Sequence, residues 1–300
     1  MPPLRTALDR RARAGMLFAA PALLAIAVFF FLPTGAALLL GFTDFDIYAL
    51  ADTGNLRWVG LANYTALVRD PAFHQALRNT VYFVAVGLPL SLALSFIAAV
   101  LLHERVTRCR ALFRTLLFLP VVTTIVAVAV VWRYLFQARD GALNHLLGAL
   151  GVAPHDWLGD PAWAMPAIIL VALWKNFGFN MLIFLAALQS IPDELHEAAA
   201  LDGAGPLARH RHVTLPLLVP TFRFVAVITL AGYFQLFAEP WVLTAGGPAD
   251  STLSVVLLMY REGFRWWNLG YATAIAVLLC AILVSATTLL TASGARAEQR

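Results

Sequence analysis

Six stretches of the chain are almost uninterruptedly apolar, and polar or turn-forming residues separate them. They run over 16–41, 79–102, 112–136, 163–189, 217–243 and 270–292. A helix needs roughly 20 residues to cross about 30 Å of hydrocarbon, so each stretch predicts a membrane-spanning helix. The first exceeds the roughly 7–15-residue apolar core of a secretory signal, and apolar sequence continues beyond Pro33. It is therefore expected to be a retained span. Pro33, Pro89, Pro120 and Pro166 fall inside or near span ends, where each removes a backbone donor and favours a kink. The predicted fold is all-α, a polytopic membrane protein with six transmembrane helices in a single domain over 1–300. Its tails are 1–15 and 293–300, its bundle spans 16–292, and a structured polar segment lies at 193–216.

Between the spans, 43–77 contains Leu61, Tyr64, Leu67 and Val68 at helical spacing, which predicts a short amphipathic helix over 60–69. The segment 137–162 is rich in glycine and proline and reads as turns. Trp266 and Trp267 close the segment 244–269, where paired tryptophans fit either an interfacial anchor or a contact with an external partner.

Composition agrees with the pattern: 61% hydrophobic and 13% charged residues, with a mean hydropathy of +0.77. Twelve arginines lie in the tails and in the segments after spans two and four, against seven in the other segments. Positive residues accumulate on the cytoplasmic side, so both termini and the segment at Glu197 are expected there. That topology accounts for a pI near 9.4 without a nucleic-acid-binding face. Cys109 and Cys280 fall in a loop and inside a span, an arrangement that argues against a disulfide. The one lysine, Lys175, is followed by Asn176 and lacks the glycine framework of a P-loop. Any ATP that drives this chain must bind another polypeptide.

The polar segment after span four carries the most specific signal. Ser190, Pro192, Asp193 and Glu194 mark a helix start through a capping hydroxyl, a first-turn proline and acids at the positive end of the dipole. The helix is expected to reach about Asp202, with Ala198, Ala199 and Ala200 forming a surface of small residues. Gly203 then permits the left-handed conformation that ends a helix, Pro206 starts a second short helix, and Pro216 and Pro220 steer the chain into span five. An amphipathic loop on lipid headgroups would need bulky apolar residues opposite a basic face, which Glu197 and Asp202 contradict.

Glu197-Ala198-Ala199, Asp202-Gly203-Ala204, Val213, Leu215-Pro216 and Pro220 resemble the EAA motif of binding-protein-dependent ABC importer permeases, with Val213 where isoleucine is usual. The strings at 185–192 and 243–248, and Gly270-Tyr271-Ala272-Thr273-Ala274, resemble its carbohydrate-uptake branch. Within that branch they are similar to the first of two permease types, the maltose and glycerol-phosphate type. The resemblance implies a type I importer fold and a coupling helix seated in a groove of a cytoplasmic ATPase, where Glu197 pairs with a basic residue. It implies a second permease subunit, two ATPase subunits and an extracytoplasmic solute-binding protein as partners, besides membrane lipid and the carbohydrate itself. The chain is then not an enzyme and binds no cofactor, with ATP and Mg held by the ATPases. The location implied is a bacterial or archaeal cytoplasmic (inner) membrane.

Lys175 falls midway along span four, where a lysine costs roughly 2.5–3.5 kcal/mol on insertion scales. Such residues face a bundle interior or a wet cavity. Lys175 fits a solute pathway, or a structural role on carbonyls of a neighbouring helix or an acid of a partner subunit. By the resemblance, the sugar site maps onto Lys175, Asn176, Phe179, Tyr233 and Gln235. The lysine departs from the maltose pattern and leaves open a charged sugar or sugar phosphate. Arg223 is expected to snorkel to headgroups. The competing classes are an ion-coupled secondary carrier that uses Lys175 and a polytopic membrane enzyme, for which no catalytic constellation is visible.

Overall fold

The computed structural model describes residues 4–103 and 109–298. Arg105, Arg108 and Arg300 lie outside the described residues. The side chains of Arg5, Arg10, Arg11, Arg13 and Arg296 lie outside them too. Among the described residues the secondary structure is helical, with one isolated bridge between Thr43 and Trp58. The chain divides into two compact units, Met1–Arg69 with Met259–Leu278 and Asp70–Leu258 with Leu279–Arg300.

The first unit begins with α1 (Leu4–Ile26). A π-helical turn, Ala27–Phe31, leads into α2 (Leu32–Leu40). Together they include an apolar span, Ala14–Leu40, none of which is buried in the chain. The following loop is tightly determined. Asp46 caps α3 (Ile47–Ala51) by accepting from the Tyr48 and Ala49 amides, each at 2.9 Å, as a short acceptor at a helix start should. The predicted amphipathic helix forms as α4 (Ala62–Arg69). Asn63 Nδ2 donates to the Gly41 and Thr43 carbonyls, and Gly270 N–H donates to the Phe45 carbonyl at 2.7 Å. The Arg57 amide and guanidinium donate to Asp44 and hold its carboxyl below the usual carboxylate range.

The second unit is built on α5 (Pro71–His103), α6 (Arg110–Val122), α7 (Ile125–Leu135) and α8 (Ala142–Ala149). These are followed by α9 (Pro161–Gln189), α10 (Asp193–Leu201), α11 (Pro206–Arg209), α12 (Leu215–Phe234) and α13 (Ala238–Leu243). Then come α14 (Val255–Tyr260) and α15 (Leu269–Glu298), each of which contributes residues to both units. The core of the second unit lies where α5, α9 and α12 meet. Phe96, Phe184 and Phe222, one from each helix, form a triangle with centroids 4.6–5.7 Å apart. Ala99, Met181, Leu218 and Val225 fill the space around them. Such interlocking matters more in a bilayer than in water, because lipid tails are as apolar as the core and association rests on packing.

Five helices are long and apolar enough to cross a membrane, or six if α6 and α7 are one broken span. The structure corrects the predicted boundaries in three places. The span expected at 112–136 is bent by 101° between α6 and α7. Thr123 and Thr124 adopt extended backbone there, and the Thr123 hydroxyl donates to the Pro120 carbonyl at 2.6 Å. A hydroxyl that competes for a backbone carbonyl favours an interruption at this site. The span expected at 217–243 starts earlier, at Pro206, and ends at Phe234. Pro240 has no N–H and would clash with the carbonyl four residues back, so the chain breaks and restarts as α13. The segment 137–162, read as turns, contains α8 around Asn144, whose amide bridges Ala138, His155 and Trp157.

Candidate functional site

The segment between α9 and α12 folds as a helix, a glycine turn and a second short helix. Asp193 and Glu194 occupy the first turn of α10, where acids complement the exposed N–H groups. Ser190 does not cap that helix, contrary to expectation. It ends α9, its hydroxyl donating to the Ala187 carbonyl at 2.7 Å, and Pro192 takes the N-cap position instead. A hydroxyl three residues beyond a carbonyl reaches it more readily than an amide beyond an intervening proline.

At its other end α10 closes with paired hydrogen bonds, Ala204 N–H to the Ala199 carbonyl at 2.9 Å and Gly203 N–H to Ala200 at 3.1 Å. This is the Schellman arrangement, and Gly203 stands at φ +83°. A Cβ there would touch nothing within 4 Å, so backbone conformation alone demands the glycine. Pro206 opens α11, and a π-helical turn at His210–Thr214 joins it to α12, with Pro216 in the first turn.

Glu197, Ala198, Asp202, Gly203, Leu215 and Pro216 are exposed, and Ala199 and Ala204 are half-buried. The predicted coupling residues thus share one continuous surface segment. Two residues missed from the sequence complete it: Leu201 is 90% exposed and Leu207 82% exposed, on either side of the Gly203 turn. Behind α10 lies a cavity of about 1110 Å³ whose wall includes Glu197 and Asp193 together with Arg110, Arg114 and Arg209. The Arg209 Nε is buried without a hydrogen-bond partner.

The midspan residues fall into two groups. Lys175 and Asn176 are half-buried near the middle of α9, and Phe179, one turn on, is 49% exposed. Gln235 is exposed where α12 ends. Tyr233, by contrast, is only 5% exposed, its ring 4.9 Å from Phe83 and in close approach to Gly87. A Cβ at Gly87 would stand 2.9 Å from the ring, so glycine creates the seat for this tyrosine. One turn below, Asn180 Nδ2 donates to Ser91 Oγ at 3.3 Å and to Thr229 Oγ1 at 2.9 Å, tying α9 to α5 and α12.

Sequence reasoning passed over Glu239 and Arg133. Glu239 lies in the first turn of α13, which packs against α9 and α7. The signal was present: Glu239 is the only acidic residue in the six apolar stretches. Arg133 on α7 donates through Nε and Nη2 to the Leu243 and Val242 carbonyls, which secures the end of α13. The Cys109 and Cys280 thiols are both free. Among the described residues no three histidines, cysteines or acids gather at metal-binding distance.

Residues 96–298, which include α10, Gly203, Lys175, Asn176, Phe179, Tyr233 and Gln235, match the family profile described as the inner membrane component of binding-protein-dependent transport systems. The chain is 38% identical over 280 residues to a lactose transport system permease protein of Rhizobium radiobacter, covering 90% of this chain and 91% of that one. It is 34% identical over 270 residues to an sn-glycerol-3-phosphate transport system permease protein of Pectobacterium atrosepticum, covering 89% of each. The fold is similar to a bacterial ABC transporter involved in the import of the acidic polysaccharide alginate. The TM-score is 0.80 at 23% identity, over 97% of this chain and 99% of that one. With its helical spans and the exposed helix-turn-helix between α9 and α12, this chain belongs to the family of binding-protein-dependent transport system inner membrane components.

Proposed function

We propose that the chain is one permease subunit of an ATP-driven importer of a carbohydrate, and that α10 is the element through which ATPase closure drives alternating access. The single observation that carries this reading is the exposed turn at Gly203. It projects Leu201, at the end of α10, from the connection between two spans, a poor arrangement for a loop that meets only water. Apolar side chains around an acidic helix suit a groove on a partner, where they would be desolvated with Glu197 at the contact. An ATPase supplies the nucleotide site this chain lacks, since no P-loop accompanies its one lysine. ATP and Mg then belong to the partner, and this subunit is non-catalytic.

The remaining partners in this reading are a second permease subunit, a second ATPase and an external solute-binding protein. Both termini and the α10 segment face the cytoplasm, following the arginine asymmetry. The carbohydrate assignment draws support from the relatives' names, and the pathway is assigned to Lys175, Asn176, Phe179, Tyr233 and Gln235. An aromatic face and amide groups suit the C–H surfaces and hydroxyls of a sugar. Co-purification tests the docking: tagged wild-type chain should retain the ATPase subunit in detergent. Leu201→Asp should lose at least tenfold of it, as about 1.4 kcal/mol or more of binding corresponds to. Equal retention by both chains would remove α10 as the docking element.

A further inference from the structure

Four apolar helices begin or end around one cavity. The spans Pro71–His103 and Pro161–Gln189 stop there, the span Pro206–Phe234 starts there, and α6 starts at Arg110. His103, Gln189, Pro206 and Arg110 all line the cavity of about 1110 Å³ beside α10. The cavity therefore stands where hydrocarbon gives way to lipid headgroups. Its wall is mixed in the same sense: Leu102, Leu185 and Ile191 contribute apolar surface, while Arg114 and Arg209 contribute charge. Small-molecule sites span roughly 300–1,000 Å³, so the space suits a headgroup with part of its chains as well as a small ion.

Arg209 carries the sharper clue. Its Nε is buried and has no hydrogen-bond partner within the chain. Buried donors are paired in nearly all native structures, and an ordered ion or water commonly serves the exceptions. Asp193 and Glu197 share the wall, but among the described residues neither Arg114 nor Arg209 forms an ion pair with them. With Arg110, three guanidinium groups face two carboxylates and leave a positive excess. A planar guanidinium matches the oxygens of a phosphate, and basic pockets between membrane helices take anionic headgroups.

We propose that this cavity binds a phosphate group, with Arg114 and Arg209 donating to its oxygens. A phospholipid headgroup and a soluble phosphate share that chemistry, and the apolar lining and the depth suit the lipid. An occupant would tie α6 to α11, the helix that follows the Gly203 turn. The proposal is independent of the cargo and of the docking assigned to α10.

A thiol on the cavity wall reports occupancy directly. The full chain, with its partner subunits, is purified in dodecyl maltoside, a detergent without phosphate. Cys109→Ala and Cys280→Ala remove the native thiols, and Ala111→Cys places one on the wall. In a second chain Ala292→Cys, exposed on α15, serves as reference for any change in surface pH. Modification of each thiol by uncharged N-ethylmaleimide is followed by mass spectrometry of this chain. Phosphatidylglycerol should slow Ala111→Cys about fivefold relative to the reference when it stands at about four times its dissociation constant, by mass action. Phosphate-free digalactosyldiacylglycerol should not. Inorganic phosphate forms a separate arm: protection by the phospholipid alone assigns a headgroup, protection by the ion assigns a soluble phosphate, and either supports the site. Arg209→Gln should raise the concentration needed roughly tenfold, as about 1.4 kcal/mol of lost binding does. Arg114→Gln, on an exposed part of the wall, should do the same and keeps the test open if Arg209→Gln fails to fold. No protection by either phosphate source, equal protection by the glycolipid, or unchanged protection in Arg114→Gln would overturn the proposal. So would a thiol shielded whatever is added, which would mean that a partner subunit fills the cavity.

Discussion

Gly203 illustrates how a single residue constrains the coupling segment. Its φ of +83° closes the Schellman turn, and nothing lies near enough to oppose an added side chain sterically. The penalty for substitution is thus confined to backbone conformation, roughly 1–2 kcal/mol for a residue with a Cβ and at the upper end for a branched one. Gly203→Val should leave insertion and the α5–α9–α12 core intact, while the α10–α11 angle loosens. Limited proteolysis should then cut within 201–207 several times faster than in wild type. Equal cleavage would mean that the turn is held by something other than Gly203. Glu197 is a different kind of residue, because in the proposed docking its worth lies in the basic group it would meet. Truncating one partner of a buried charged pair costs about 2–5 kcal/mol, enough to break a mechanical linkage without disturbing the fold.

At the scale of elements, the broken helices are the most informative. α13 exists because Pro240 ends the continuity of α12, and it is fixed because Arg133 reaches its last carbonyls. Arg133→Gln should free that helix and leave two carbonyls short of donors, a loss of about 1–3 kcal/mol for a charged donor. The expected consequences are a lower melting temperature of the purified complex and faster hydrogen exchange over 238–243 than in wild type. Unchanged exchange there would show that Arg133 is not the clasp. The same elements mark what the sequence could reveal. Hydropathy located the spans, because a run of some 20 apolar residues has one physical meaning, and Gly203 and Pro206 announced the turn and the second helix. Ser190 misled because its hydroxyl could cap forwards or backwards, and only the fold decides which carbonyl is nearer. Pro120 announced a kink in the span at 112–136, but its size of 101° and its place at Thr123 and Thr124 depend on the surrounding fold, as does the packing of α13 against α9 and α7.

At the scale of the whole molecule, the chain is a conduit that needs others to work. It has no nucleotide-binding motif of its own, yet it carries a structured helix, α10, outside its spans, with Leu201 exposed at the end of that helix. The polar positions in the spans are few. Asn180 joins three helices and the Tyr233 ring is seated against Phe83 and Gly87, which leaves Asn176, Phe179 and Gln235 as the more accessible positions of the proposed pathway. In the proposed reading the energy of transport enters at α10 and the cargo passes near the middle of α9, with α9 itself leading from one to the other. An ion-coupled carrier would place its energy source at Lys175 and would have no use for α10. The measurement that separates these accounts most directly is ATP hydrolysis by the complete importer in proteoliposomes, with and without its substrate-loaded binding protein. Wild type should hydrolyse ATP faster when the loaded protein is added, and Glu197→Lys should assemble in the membrane but lose that stimulation. Uptake that follows a proton or sodium gradient without ATP, or full stimulation in Glu197→Lys, would contradict the account.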